Sequence, residues 1–202
     1  MRPSECIACT GFPCRDTDKK CYQIPDIDVN PEPIKMIMIS EAAPKDPNDH
    51  YYAPGDPLFQ RTTVQAFNDA GVDVKTIPDL LDKGVYFTTA VKCGKTGYTI
   101  KAATIKECSL ILEQELALFP GVKTLMLMGD VAIKALNYIS RRNTGKRVIP
   151  AISTYKIRGR DYSYSDIAAY PSYLQAGPAF FIEKSKRRMI REDIQNAWKK
   201  MS

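Results

Sequence analysis

The run Ile34-Lys35-Met36-Ile37-Met38-Ile39-Ser40-Glu41-Ala42-Ala43-Pro44 is, apart from Lys35, apolar up to Ser40 and then turns polar. An apolar run this short and without alternation reads as a strand covered on both faces, as in a parallel sheet. A proline-studded loop follows, Lys45 to Asp56, holding Asp46, Asn48, Asp49, His50, Tyr51 and Tyr52. In open α/β sheets ligands bind outside the carboxyl ends of the strands, and Glu41 stands at such an end. Chemistry at Glu41 is one reading of that placement, and a cap on the following helix is the other.

Working outward, residues 60–70 read as a helix stopped by Gly71, and 77–83 as a short helical turn. The β-branched and aromatic stretch 85–91 makes a second strand that ends at Lys92-Cys93. Thr104, with Glu107 three residues on, forms a capping box. It opens a helix to Phe119 with a stripe of Ile105, Cys108, Ile111, Leu112, Leu116 and Phe119. Residues 122–128 form a third buried strand, turned by Gly129-Asp130 into a helix over 131–139. A weaker strand falls at 147–152, and Tyr162 to Tyr170 leads into a turn at Pro171-Ser172. The tail 178–201 reads as one long helix anchored by Trp198. Strands alternating with helices predict a mostly parallel sheet covered on both faces.

With 202 residues, 44% hydrophobic and 26% charged, the chain has the size and composition of one globular domain. Residues 1–33 hold four of the six cysteines and no periodicity, so they are expected to lie over a main domain of 34–202. The start Met-Arg-Pro-Ser-Glu-Cys has no apolar leader and no run spans a membrane, so a cytosolic monomer is expected. The net charge of +6 is unevenly spread. Between Val131 and Arg160 no acid occurs, while Lys134, Arg141, Arg142, Lys146, Arg147, Lys156, Arg158 and Arg160 do. A second basic group runs from Lys184 to Arg191. Such clustering fits a polyanion, most often nucleic acid, although solvated helix faces give similar runs.

Six cysteines in a cytosolic chain point to metal or redox chemistry rather than disulfides. Cys6 and Cys9, spaced for a tight metal-binding turn, and the distant Cys93 and Cys108 would staple the terminal segment to the core. Zinc and an iron–sulfur cluster both accept four thiolates. Cys108 also fits as plain core, and Cys14 and Cys21 are spare thiols, a second site, or the true ligands in place of Cys6 and Cys9.

These motifs, in order, resemble the uracil-DNA glycosylase superfamily. The carriers are the CxxC, the strand ending Ser40-Glu41-Ala42-Ala43-Pro44, Gly55-Asp56-Pro57-Leu58-Phe59, and Val85 to Cys93. Cys108, Leu127-Met128-Gly129-Asp130-Val131-Ala132 and Tyr170-Pro171-Ser172-Tyr173-Leu174 complete the set. The closest likeness is to its bacterial and archaeal branch that carries a [4Fe–4S] cluster. That resemblance implies a three-layer α/β/α sandwich around a short parallel sheet, and removal of a damaged base flipped out of DNA. It implies Glu41 as the carboxylate that orients water and offsets positive charge on the sugar. Ser40, Ala42 and Pro44 would line the base pocket, and Phe59 or Leu58 would stack on the base. Pro171, Ser172 and Leu174 would pinch phosphate and fill the gap in the duplex. Lys92 and the basic stretch that includes Arg158 would contact phosphates. Cys6, Cys9, Cys93 and Cys108 would hold the cluster, with zinc the competing occupant.

Three departures from the family pattern stand out. Thr89 occupies the place of an asparagine that reads the base edge, and it offers one hydroxyl instead of an amide. Tyr170 replaces a histidine, donating without a readily formed cation. Ser40 and Ala43-Pro44-Lys45 alter the turn beside Glu41. Glu41, Thr89 and Tyr170 are expected to meet around one pocket. His50, the only histidine, is expected to be an exposed loop residue.

Overall fold

The computed structural model describes residues 1–201. Its centre is β2 (Met36–Ala43), whose neighbours β3 (Val85–Lys95) and β4 (Thr124–Met128) both run parallel to it. Met36 lies opposite Val85 on one side and Thr124 on the other. Two edges extend the sheet: β1 (Thr17–Asp18) pairs antiparallel with β3, and β6 (Ile167–Ser172) pairs parallel with β4. β5 (Ser163–Tyr164) closes a hairpin with β6, giving the order β1-β3-β2-β4-β6-β5.

Alternation along β2 divides the core. Ile37 and Ile39 face α4 (Ala102–Ala117) and α5 (Asp130–Thr144), while Met36 and Met38 face α2 (Leu58–Asp69), α3 (Ile77–Asp82) and α8 (Lys184–Met201). All four side chains are fully buried, each contributing about 1.5–3 kcal/mol of transfer free energy. The architecture is a three-layer α/β/α sandwich. After β2 the chain moves to β3 on one side, then crosses to β4 on the other. The order therefore reverses at β2, and the crevice between the carboxyl ends of β2 and β4 is the natural ligand site.

The terminal segment, with the short α1 (Pro3–Cys6), is bound to the sheet edge by its backbone. Thr17 and Asp18 pair with Lys95 and Gly94, and Gln23 N–H donates to Lys92 O at 2.8 Å. Met1 and Val29 join at 2.9 Å across the segment's base.

Several local expectations are corrected. α4 starts at Ala102, not Thr104; Lys101 N–H donates to Asp16 Oδ2 at 2.7 Å, and Thr104 Oγ1 also bonds Asp16. A cap from 85 residues away thus replaces the local capping box. Residues 147–152 are a loop, because Asn137 on α5 takes their hydrogen bonds: its Oδ1 accepts from Val148 and Ile149 N–H at 3.0 and 2.9 Å. α6 (Thr154–Ile157) follows. Ser165 and Asp166, at φ 48° and 66°, make the tight β5–β6 turn. The C-terminal helix is two, α7 (Ala179–Ile182) and α8, broken at Glu183 where ψ is 75°. Trp198 packs edge-on against Phe67 at 5.9 Å.

Candidate active site

β2 continues through Glu41, so the carboxylate emerges at the reversal point, 20% exposed. β4 ends at Gly129, with φ 101°, and a Cβ there would lie 2.6 Å from Glu41 Oε1. The absent side chain lets the start of α5 close on the carboxylate, whose charged form the nearby backbone N–H groups of Val131 and Asp130 favour. Lys95 Nζ stands 4.0 Å from Oε2. Burial raises the Glu41 carboxyl above the ordinary range; Lys95 and the two amides oppose the rise, and the Asp130 charge adds to it. Glu41 therefore both stands at the head of a helix, α5 rather than α2, and faces a hollow.

That hollow has a volume of about 350 Å³. It brings together Glu41, Ala42, Pro44, Leu58, Phe59 and Leu174 of the expected set. Three of its polar neighbours were not anticipated: Lys45, Asp49 and Lys95. Asp49 Oδ1 accepts from Leu58 N–H at 3.2 Å, fixing the start of α2 and with it Phe59. Lys95 reaches the site because β3 runs three residues past Lys92, with a register shift at Ala42/Ala43.

Thr89 and Tyr170 do not join Glu41. Thr89 pairs with Ser40 and Tyr170 with Met126, on the face toward α2 and α8, opposite Ile39 and Glu41. Thr89 is 1% exposed, and its Oγ1 has no hydrogen-bond partner among the described residues. Tyr170 is half-buried, its hydroxyl kept protonated by burial and the Asp161 charge. Ser40 is buried too, sharing a 2.5 Å hydrogen bond with Tyr51 Oη, which in turn accepts from Gln175 Nε2 at 3.0 Å. Burial pushes the Tyr51 hydroxyl up to about 12. The Tyr51 ring lies 5.3 Å from Phe59 and 5.4 Å from Phe87, backing the cavity's aromatic wall.

Expected phosphate contacts are also corrected. Lys92 is fully buried: alternation sends it toward α4, where Nζ bonds Glu115, Thr88 Oγ1 at 2.7 Å and Thr89 O at 2.6 Å. Tyr86 Oη also donates to Glu115, at 2.7 Å. Arg158 is spent on α8, bridging Glu192 and Asp193 at 2.9 Å each. Ser172 is buried and donates to Asp193 at 2.6 Å, with Pro171 buried beside it. His50 is not exposed; at 4% exposure, burial and then the Lys92 charge lower its pKa to about 3, leaving it neutral.

Cys6 is exposed at the end of α1. Cys9, Cys14, Cys93 and Cys108 act on one another. Burial and the neighbouring Cys108, Cys14 and Cys9 push Cys93 up to about 12. Burial, Cys14 and Cys9 bring Cys108 to about 11 against the Lys92 N–H and ammonium. Burial also raises Cys14, eased by Thr104 and Cys108. Cys21 is separate, donating to Lys45 O at 3.0 Å under Gly94. Among the described residues no three His, Cys, Asp or Glu side chains are arranged to hold a metal ion.

A family model described as "Uracil DNA glycosylase superfamily" matches residues 28–195, most of the chain. The chain belongs to this superfamily. No curated protein matches it. The superfamily generally hydrolyses N-glycosidic bonds and acts on DNA. The match begins after Cys6, Cys9, Cys14 and Cys21, and it spans every residue that lines the hollow around Glu41. No described helix is long and apolar enough to cross a membrane.

Proposed function

We propose that the protein is a DNA glycosylase that removes uracil or a related damaged base after flipping it into the hollow beside Glu41. The carrying observation is a half-buried carboxylate at a helix N-terminus on the rim of a 350 Å³ largely apolar cavity walled by Phe59. Phe59 and Leu58 would sandwich the base, and Leu174 would enter the gap it leaves. Glu41 would orient water toward the sugar carbon and offset the oxocarbenium charge. With Thr89 buried outside the lining, recognition of the base edge falls to Asp49, Lys95 and the backbone of residues 42–45. Oligonucleotides carrying uracil, hypoxanthine, xanthine or an oxidised pyrimidine, each with and without Glu41→Gln, test this reading. Abasic product is expected from at least one, reduced roughly 10²- to 10⁴-fold by Glu41→Gln. Its rate should rise with pH as Glu41 ionises, at a pH above the ordinary carboxylate range.

A second reading is a DNA-binding protein that has lost excision, favoured by Thr89 and Tyr170 lying outside the cavity. Tight, salt-dependent DNA binding without abasic product at enzyme excess would select it.

Membership of the cluster-bearing branch is also proposed, with Cys14 in place of Cys6. Cys93 and Cys108 are buried and raised by burial and by neighbouring thiols, so they cannot ionise together without a compensating cation, and an iron–sulfur cluster supplies one. Zinc held at about 2.3 Å needs a tighter convergence of sulfurs than a larger cluster does. Cys9, Cys14, Cys93 and Cys108 would hold the group, which when bound cross-links the terminal segment to β3 and α4. Protein purified without oxygen should be brown and contain iron; colourless protein with one equivalent of zinc would reverse the assignment.

A further inference from the structure

Along α5, on the far side of Asp130 from the Glu41 carboxylate, a groove of about 500 Å³ runs between that helix and the 147–157 loop. Its wall is built: Asn137 clamps Val148 and Ile149, and Ile149 and Ile157 are buried beneath. Its charge is one-sided. The only acid lining it, Asp130, is paired with Lys134. Arg141 and Arg147 are exposed and have no acidic partner among the described residues, whereas nearby Arg142 and Arg158 are tied to Glu113 and to Glu192 and Asp193. Ile152, 50% exposed, lines the groove with these cations, and Tyr155, 70% exposed, lies in the chain between the lining residues Thr154 and Ile157.

Cations that follow a backbone, interleaved with an exposed ring, suit an unpaired strand, because only unstacked bases offer a face to an aromatic side chain. A duplex hides those faces. We infer that this groove holds the unpaired nucleotides flanking the target in the same strand, so that single-stranded DNA is the preferred substrate form. This rests on the glycosylase reading for its position beside Glu41, but its binding test does not.

Fluorescence anisotropy of the full chain with labelled, undamaged oligothymidylate, and with a duplex of equal length, measures it. Tyr155→Ala should weaken single-strand binding about 5- to 150-fold, the span of one base–aromatic contact, and leave duplex binding within about twofold. Arg141→Ala with Arg147→Ala should flatten the slope of log affinity against log salt by about 1.4, roughly 0.7 per phosphate contact. Unchanged single-strand affinity in both variants, or equal losses on single strand and duplex, would overturn the inference. The two readings fail separately. Groove-dependent binding without excision of any base sinks the glycosylase alone, and excision with groove variants that bind like the parent sinks the groove alone.

Discussion

His50 is a neutral imidazole in the interior, with a folded pKa of about 3 against 6.5 in the open chain. Below pH 6.5 the unfolded chain binds a proton that the folded one refuses, so stability falls as pH drops from 6.5 toward 3. The loss is up to about 5 kcal/mol by the 1.36 kcal/mol per unit conversion. Urea melts at pH 7 and pH 4 should show His50→Gln losing less stability than the parent between the two. Lys92 and Glu115 are a different buried case, an ion pair with hydrogen bonds from Tyr86 and Thr88 around it. Lys92→Met leaves an unpaired buried carboxylate and should cost about 3–5 kcal/mol. Adding Glu115→Gln keeps an acceptor for Tyr86 and Thr88 and removes the stranded charge, so more than half should return in the same melts. The sequence held a hint of this pair: Glu115 falls seven residues after Cys108, on the apolar stripe of its helix, where an acid needs a partner. Lys92 looked like a surface cation only because the strand seemed to end there.

Among elements, the β4–α5 junction matters most to the site. Gly129→Ala would set a methyl 2.6 Å from Glu41 Oε1 in a backbone conformation that side chains rarely adopt. Excision should fall at least tenfold with KM for the oligonucleotide nearly unchanged, and the pH profile should move with the displaced carboxylate. The three parallel strands were legible because β-branched and apolar runs bounded by turn residues have few other uses. Two features were not. The start of α4 is set by Asp16, far upstream, so the local Ser/Thr-x-x-Glu pattern misled. The 147–152 run is as β-prone as a strand, yet Asn137 takes its hydrogen bonds. In both places a long-range partner outcompeted local preference.

At the scale of the whole molecule, the segment before β2 is held by a two-residue strand, a few backbone bonds and the Asp16 bonds to the start of α4, to which the proposed cluster would add its thiols. Cys14→Ser should therefore leave the core's circular dichroism unchanged, while trypsin releases residues before Ile34 faster; Cys6→Ser should alter neither readout. The candidate site was half visible in the sequence. Glu41 stood out at the end of a strand, Phe59 and Leu174 by their match to the family's motifs, and the cavity unites them. Thr89 and Tyr170 sat at matching motif positions, but neither lines the cavity, and Thr89 is buried, a depth that motif order alone does not fix. The groups at the head of α5 that favour the charged Glu41 carboxylate are main-chain amides, with Lys95 4.0 Å away. No codon change at Asp130 or Val131, short of one to proline, can delete such a donor. Mutational drift can thus remodel what the hollow accepts while its carboxylate stays moored, leaving one backbone frame free to trade one lesion for another.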